Sequence, residues 1–140
     1  MLVRIAPVLL TLAGLVVFGF GWLLSGLPDA CDNDVVAEVW SPQGGHRVVV
    51  FVRGCGATTS NSTQVALLSA GEPLTNEGGN VLILDDNRGA APVAAHGGPV
   101  VEATWIDEHT VLLRHHGSAR VFKKKERVGG VRASYRLLTS

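Results

Sequence analysis

Net charge is what this chain lacks, because 12 lysines and arginines balance 12 aspartates and glutamates. A protein without a field of one sign has no long-range attraction for polyanions, so the composition does not predict a nucleic-acid partner. The charges are nevertheless separated along the chain. From Arg114 onward there are eight basic residues and one acidic residue, Glu126, so the carboxyl-terminal strands are locally basic.

Charged residues are also missing near the amino terminus. No charged side chain lies in residues 5–28, and residues 5–24 are almost wholly apolar. As a helix, such a segment is about 30 Å long, enough to cross a bilayer. Arg4 precedes it and aspartates follow it, so the positive-inside rule places the rest of the chain outside the cytoplasm. The sequence predicts a transmembrane anchor over residues 1–28, a short neck over 29–34 and an extracytoplasmic domain over 35–140.

Two other interpretations of the amino terminus stay open. A secretory signal peptide has the same short basic start, although Pro28 would occupy the minus-three position for cleavage after Ala30. A lipoprotein signal would place a lipid on Cys31, although Pro28 and Asp29 interrupt the expected small residues. All three interpretations place residues 31–140 outside the cytoplasm, anchored in the cell membrane, secreted or lipid-anchored.

Cysteine is scarce, since Cys31 and Cys55 are the only two. An even number of cysteines in a small exported domain favours a disulfide. Closing a loop of about 25 residues removes unfolded-chain entropy and so stabilises the folded domain by a few kcal/mol. A nucleophilic thiolate would need a neighbouring histidine, and a zinc site would need four ligands. A disulfide between Cys31 and Cys55 is therefore predicted, and a thiol-dependent envelope enzyme that uses Cys55 is the alternative.

Catalytic and metal-binding motifs are missing as well. The sequence has no Gly-x-Ser-x-Gly elbow, no His-Glu-x-x-His and no phosphate-binding loop, so neither an enzyme nor a cofactor is predicted. The run 85–87, Asp-Asp-Asn, lacks the alternate ligand spacing of a calcium loop and is expected to be a polar turn. His115 and His116 would point to opposite faces of a strand, which argues against a shared metal ion.

Short runs of β-branched and aromatic residues fill the rest of the chain, separated by turn residues, and no segment after residue 30 has a helical period. The predicted strands are residues 35–40, 46–53, 63–69, 80–84, 100–106, 110–115, 119–124 and 130–137. This pattern predicts an all-β fold, a single small antiparallel β-sandwich or barrel-like domain behind one N-terminal transmembrane helix. Two hairpins share a similar order of residues, with Trp40 and Trp105 before their turns, and both indoles are expected in the core.

Two polar stretches are the candidate binding residues. One is the hydroxyl-rich run Thr58, Thr59, Ser60 and Asn61, and the other is the basic run Lys123, Lys124, Lys125 and Arg127. The first would contact a ligand or would satisfy the backbone of a turn. The second would meet an envelope protein or an anionic envelope component, or would protect an edge strand from pairing. The predicted function is a binding module, and the alternative is an accessory subunit of a membrane complex that packs through the helix.

Several short motifs resemble those of a known group of proteins. They are Cys-Gly-Ala-Thr-Thr at 55–59, Ser-Thr-Gln-Val at 62–65, Asn-Glu-Gly-Gly-Asn-Val at 76–81, Trp-Ile-Asp at 105–107, Val-Phe-Lys-Lys at 121–124 and the closing Gly-Val-Arg-x-x-Tyr at 130–135. Together they resemble a family of small bacterial exported or membrane-tethered proteins of unknown function. The resemblance covers residues 31–136 and implies a bacterial source and a domain that stands alone behind one hydrophobic segment. It implies no activity and no site residue.

Overall fold

The computed structural model describes residues 5–25, 30–56 and 59–139. These residues form a helix followed by strands in chain order: α1 (Ile5–Ser25), β1 (Asp32–Trp40), β2 (His46–Gly54), β3 (Ser62–Ser69), β4 (Leu82–Asp85), β5 (Val101–Asp107), β6 (Thr110–His115), β7 (Arg120–Lys124), β8 (Arg127–Val128) and β9 (Val131–Leu137). Every predicted strand is present. The two-residue β8 is additional, and β1 begins inside the segment predicted to be the neck.

The helix α1 is apolar on all sides and separate from the domain. Its stretch Pro7–Ser25 has a mean hydropathy of 2.2, and none of its residues is buried against the rest of the described chain. Its few polar side chains bond within the helix, because the Thr11 hydroxyl donates to the Pro7 carbonyl and the Ser25 hydroxyl to the Gly21 carbonyl, both at 3.1 Å. This length and composition suit a membrane anchor or a signal segment.

The strands form two sheets, so the predicted all-β domain behind an apolar helix is confirmed. One sheet has the order β1-β2-β3-β4-β7 and the other β5-β6-β9-β8. Neighbouring strands are antiparallel except for β6 and β9, which run parallel. The parallel pair arises because the chain leaves β6 to form β7 at the edge of the first sheet, and then returns through β8 before β9 begins.

The main core lies between the two sheets and takes alternate residues from each strand. The first sheet contributes Val48, Val50, Val65, Leu67, Leu82 and Leu84, and the second contributes Val101, Val111, Leu113, Val131 and Ala133. A smaller cluster, Val49, Phe51, Ala66 and Leu68, lies on the opposite face of the first sheet, where Leu74 packs over it. Both faces of β2 and β3 are therefore buried, which explains their uninterrupted apolar sequences.

The turns of two hairpins meet at one end of the sandwich. Glu108, in the β5–β6 turn, accepts hydrogen bonds from Ser41 Oγ at 2.8 Å, the Gln43 amide at 2.7 Å and the Gly45 amide at 3.1 Å. Burial opposes ionisation of the Glu108 carboxylate, but these bonds outweigh it and lower its pKa. His46 stacks on Trp105, with ring centroids 6.4 Å apart. The interlocked turns define what we call the turn end of the sandwich.

The two tryptophans occupy different environments. Trp105 packs against the core, and its indole Nε1 donates to the Val39 carbonyl at 2.9 Å, as expected for a core residue. The expectation for Trp40 is wrong, since 49% of this residue is exposed. Trp40 pairs with Arg47 on the outer face of the sheet, and the guanidinium carbon lies 5.7 Å from the indole centroid. Its position at the end of an edge strand explains the exposure.

Candidate functional site

The predicted disulfide is present and closes the first hairpin. Cys31 and Cys55 are joined at an S–S distance of 2.05 Å, next to the paired residues Asp32 and Gly54. The Asn76 side-chain amide donates to the Cys31 carbonyl at 2.8 Å, which ties the 70–79 loop to the same place. We call this the disulfide end of the sandwich; it lies opposite the turn end. Cys55 carries no free thiol in this structure, so it offers no nucleophile there.

The hydroxyl-rich run lies at the disulfide end and bonds locally where it is described. Thr58 lies outside the described residues. The Thr59 hydroxyl and amide both donate to the Gly56 carbonyl, at 3.2 and 3.3 Å, and Ser60 and Asn61 are exposed. The next hydroxyl, Thr63, is buried and donates to the Pro99 carbonyl at 2.7 Å. These bonds favour the interpretation of this run as a stabilised turn.

The basic run divides between two surfaces, because β7 is an edge strand whose side chains alternate. Lys123 Nζ donates to the Gly79 carbonyl at 2.9 Å. Lys124 points the other way and places its Nζ 4.6 Å from the centroid of the Tyr135 ring. Lys125 is exposed, and Arg127 follows on β8 opposite Arg132. The lysines thus border a sheet edge, as expected, while Lys124 and Arg127 face a cavity of the second sheet.

That cavity, which we call the basic groove, is an open space of about 670 Å³ lined by Lys124, Glu126, Arg127, Arg132, Ala133, Ser134, Tyr135 and Arg136. Four of these side chains are basic and one is acidic. Within the described residues, no ion pair is formed by Arg127, Arg132 or Arg136, whereas the nearby Arg114 is paired with Glu102 at 3.0 Å. The groove therefore holds an excess of positive charge that Glu126 alone does not balance.

The base of the basic groove is formed by the only tyrosine of the chain. Tyr135 donates its hydroxyl to the Lys125 carbonyl at 2.5 Å, with the Val81 carbonyl 3.3 Å away, and so links the two sheets. Burial of the ring, helped by the negative charge of Glu126, raises the pKa of Tyr135 to about 12. The phenol therefore stays neutral and fixed at physiological pH.

One side of the basic groove is an unpaired strand edge. β8 pairs only with Val131 and Arg132 of β9, and the Ala133 amide donates to the Glu126 carbonyl at 2.9 Å. In a strand, the backbone amide and carbonyl groups of every second residue point to the same side. Those of Tyr135 and Leu137 therefore point, like the Ala133 amide, to the side on which β8 lies. No strand in the described part of the chain pairs with that stretch of β9. The edge is short but accessible for a few hydrogen bonds.

The structure does not unite the hydroxyl-rich run with the basic residues. Thr63 pairs with Leu84 on β4, and Leu84 pairs with Val121 on β7. Lys123 is two residues beyond Val121 along β7. The backbones of Thr63 and Lys123 are therefore roughly 12 Å apart. The hydroxyl-rich run continues from Thr63 in the opposite direction. The two candidate stretches therefore lie on two separate surfaces. Arg132 and Arg136 complete one of them. Their spacing of four residues in the last predicted strand places both on one face, and this was the signal that the sequence offered.

The polar turn after β4 is built around an ion pair. The Asp85 carboxylate receives Arg120 Nε at 3.2 Å, the second Arg120 nitrogen at 2.5 Å and the Asn87 amide at 2.9 Å. The hydrogen bond from Arg120 is the main cause that lowers the pKa of Asp85, against the opposing effect of burial. The described residues contain no group of three or more His, Cys, Asp or Glu arranged to hold a metal ion.

Comparison of this chain with family models, with curated proteins and with solved structures finds no match. The class of protein that the fold and the site define is a small two-sheet β domain, closed by one disulfide, behind an N-terminal apolar helix. The candidate site of this domain is a basic surface groove beside an unpaired edge of β9.

Proposed function

We propose that this chain is a single-pass protein of the bacterial envelope whose extracytoplasmic β domain binds an extended acidic segment of another protein. The apolar helix and the Cys31–Cys55 disulfide support the location, since disulfides persist in oxidising compartments. The resemblance to a bacterial family supports the source. The basic groove with its open β9 edge is the observation that carries the proposed binding.

The chemistry of the groove favours a polypeptide among anionic partners. An unpaired edge offers main-chain hydrogen bonds to an added strand, and alternate side chains of that strand then face one way. Arg132 and Arg136 lie on one face of β9 and are about 13 Å apart along the strand. Because β8 pairs beside Arg132, an acidic residue in the paired part of an added strand would meet Arg136, and one beyond the paired part would meet Arg132. An anionic polymer without backbone amides could contact the guanidinium groups but could not form hydrogen bonds with the open edge of β9.

The test is binding of short labelled peptides to the full-length protein in nanodiscs, measured by fluorescence anisotropy at low and high salt. The probe alternates Glu and Thr, and a matched probe replaces each Glu with Gln. The single variants R132Q and R136Q should each weaken binding of the Glu peptide about fivefold, which corresponds to a loss of roughly 1 kcal/mol in binding free energy. Glu126→Gln should strengthen it, because the only acidic side chain of the groove is lost.

Two controls separate charge from strand pairing. Arg88→Gln removes an exposed positive charge outside the groove and should leave the affinity unchanged. A Glu peptide N-methylated at alternate amides keeps its charge but cannot pair with β9, and it should bind clearly more weakly. Equal binding of the methylated peptide and of polyphosphate would instead assign the groove to polyanions in general. Affinity that is insensitive to R132Q, R136Q and E126Q would refute the groove as the binding site.

A further inference from the structure

Exposed apolar side chains of the β domain are concentrated at the disulfide end. Four large ones lie at or beside strand ends there, namely Val93, Val100, Val121 and Leu137, with exposed fractions of 36 to 61%. Val35 and Val36 lie further along β1, and Phe122 is the central residue of β7. Only Trp40 and Ile106 are exposed at the turn end, among the described residues. More of the exposed apolar side chains thus lie at the disulfide end than at the turn end.

One member of this set, Val100, lines an open cavity at the disulfide end. A mainly apolar cavity of about 260 Å³ is lined by Pro92, Val100, His116, Leu138 and Thr139. Val93 lies beside it, in a bridge with Pro99, and Leu137 precedes Leu138 at the end of β9. We call Pro92, Val93, Val100, Leu137 and Leu138 the apolar end patch. Exposed apolar side chains grouped at one end of a small domain are a candidate interaction site.

The connection to α1 limits how far the apolar end patch can move from the helix. Five Cα–Cα steps separate Ser25, the last residue of α1, from Ala30, so these two residues are at most about 19 Å apart. Ala30 precedes Cys31, which belongs to the disulfide end. A bilayer crossed by α1 is thus the one surface that covalent connectivity keeps within reach of the patch.

We infer that the apolar end patch docks on the lipid bilayer that α1 spans, at the boundary between headgroups and acyl chains. This inference rests on the anchor in the proposed function and is independent of the basic groove. The partner is a lipid surface because the patch is apolar, lies at the tethered end and is reached without a second molecule. Docking would hold the strands upright on the membrane and place the turn end farthest from it.

Depth-dependent quenching tests the orientation in the full-length protein. Val93→Cys and Ile106→Cys are each labelled with bimane in nanodiscs that contain nitroxide-bearing lipids, after the intact mass has verified one label and the native disulfide. Both native side chains are exposed, at 49% and 60%. Ile106 lies about 17 Å farther along β5 from the disulfide end. Quenching should be several-fold stronger at position 93 than at position 106.

The apolar contribution is tested with the label kept at position 93. Val100→Asn with Leu137→Asn should lower quenching to the level found at position 106. Ile106→Asn removes a comparable exposed apolar side chain at the turn end and should leave the quenching at position 93 unchanged. Because all of these side chains are exposed, a circular dichroism melt should show folding equal to that of the parent.

Each other outcome overturns the inference in a recognisable way. Weak, equal quenching at both positions in a protein that stays in the disc would reject docking and leave the anchor intact. A protein of shortened mass that is absent from the disc would reject the anchor and the docking together. Quenching at position 93 by a nitroxide on a second protein copy, in discs without labelled lipid, would assign the patch to self-association.

Discussion

Removal of the Cys31–Cys55 bond should destabilise the β domain by a magnitude that follows from chain connectivity. The residues are 24 apart in sequence. The chain-entropy model gives about 3.5 kcal/mol at 25 °C for a loop of this length. The native state should change little, because the Asn33 side-chain amide still donates to the Thr75 and Glu77 carbonyls at 3.1 and 2.8 Å beside the missing bond. The loss therefore lies mostly in the unfolded state.

The assay is thermal and urea unfolding of the full-length protein in detergent, comparing the parent with the double variant Cys31→Ser, Cys55→Ser. The melting temperature should fall by about 15 °C, as expected for a domain of roughly 110 residues that loses 3.5 kcal/mol. The parent measured with reductant should match the double variant. A fall of less than about 3 °C, with unchanged cooperativity, would show that the unfolded chain gains little freedom and would refute the connectivity argument.

Three further predictions concern side chains of the core and of its polar links. Leu84→Ala should lower the free energy of unfolding in urea by about 3 kcal/mol, because Leu84 is fully buried. Ile106→Ala, at an exposed site, should lower it by less than about 0.5 kcal/mol. Similar losses for the two variants would contradict the assigned core. The pKa of Asp85 is lowered in the folded state, so its contribution is present above the unfolded pKa of about 4 and is lost as the pH falls through the lower folded value. Arg120→Gln should therefore destabilise the domain at pH 7 and flatten its acid denaturation, and an unchanged pH profile would contradict the pairing. The absorbance of Tyr135 should titrate near pH 12, and a midpoint near pH 10 in the folded protein would show that the ring is not buried.

The strand pattern was largely predictable because the local signals agree with each other. The 46–53 run is β-branched and aromatic, and the Ser-Pro-Gln-Gly-Gly turn before it supplies both proline and glycine. The disulfide followed from the cysteine count. β8 was missed because a strand of two residues shows no periodicity in the sequence. The parallel pairing of β9 with β6 depends on the route of the chain through β7 and β8, which local sequence does not encode. Trp40 was misplaced because composition cannot distinguish the two faces of an edge strand.

The site was less predictable than the fold because it depends on the pairing of distant residues. The sequence pointed to Lys124 and Arg127 through their local charge density. It did not indicate that the two fall on the same side as Arg132 and Arg136, since this depends on the return of the chain from β7 through β8 to β9. The distance of the hydroxyl-rich run from these residues follows only from the register of β3 against β4 and of β4 against β7.

The two proposed contacts, when combined, restrict how a partner approaches the domain. If the apolar end patch lies on the bilayer, β9 runs away from Leu137 at the membrane toward Val131 at the turn end. Arg136 then lies about 13 Å closer to the lipid than Arg132. A strand paired with the open edge of β9 must run along the membrane normal. A mobile extracellular tail or a juxtamembrane segment of a neighbouring protein meets that requirement, whereas an acidic helix lying flat on the membrane does not.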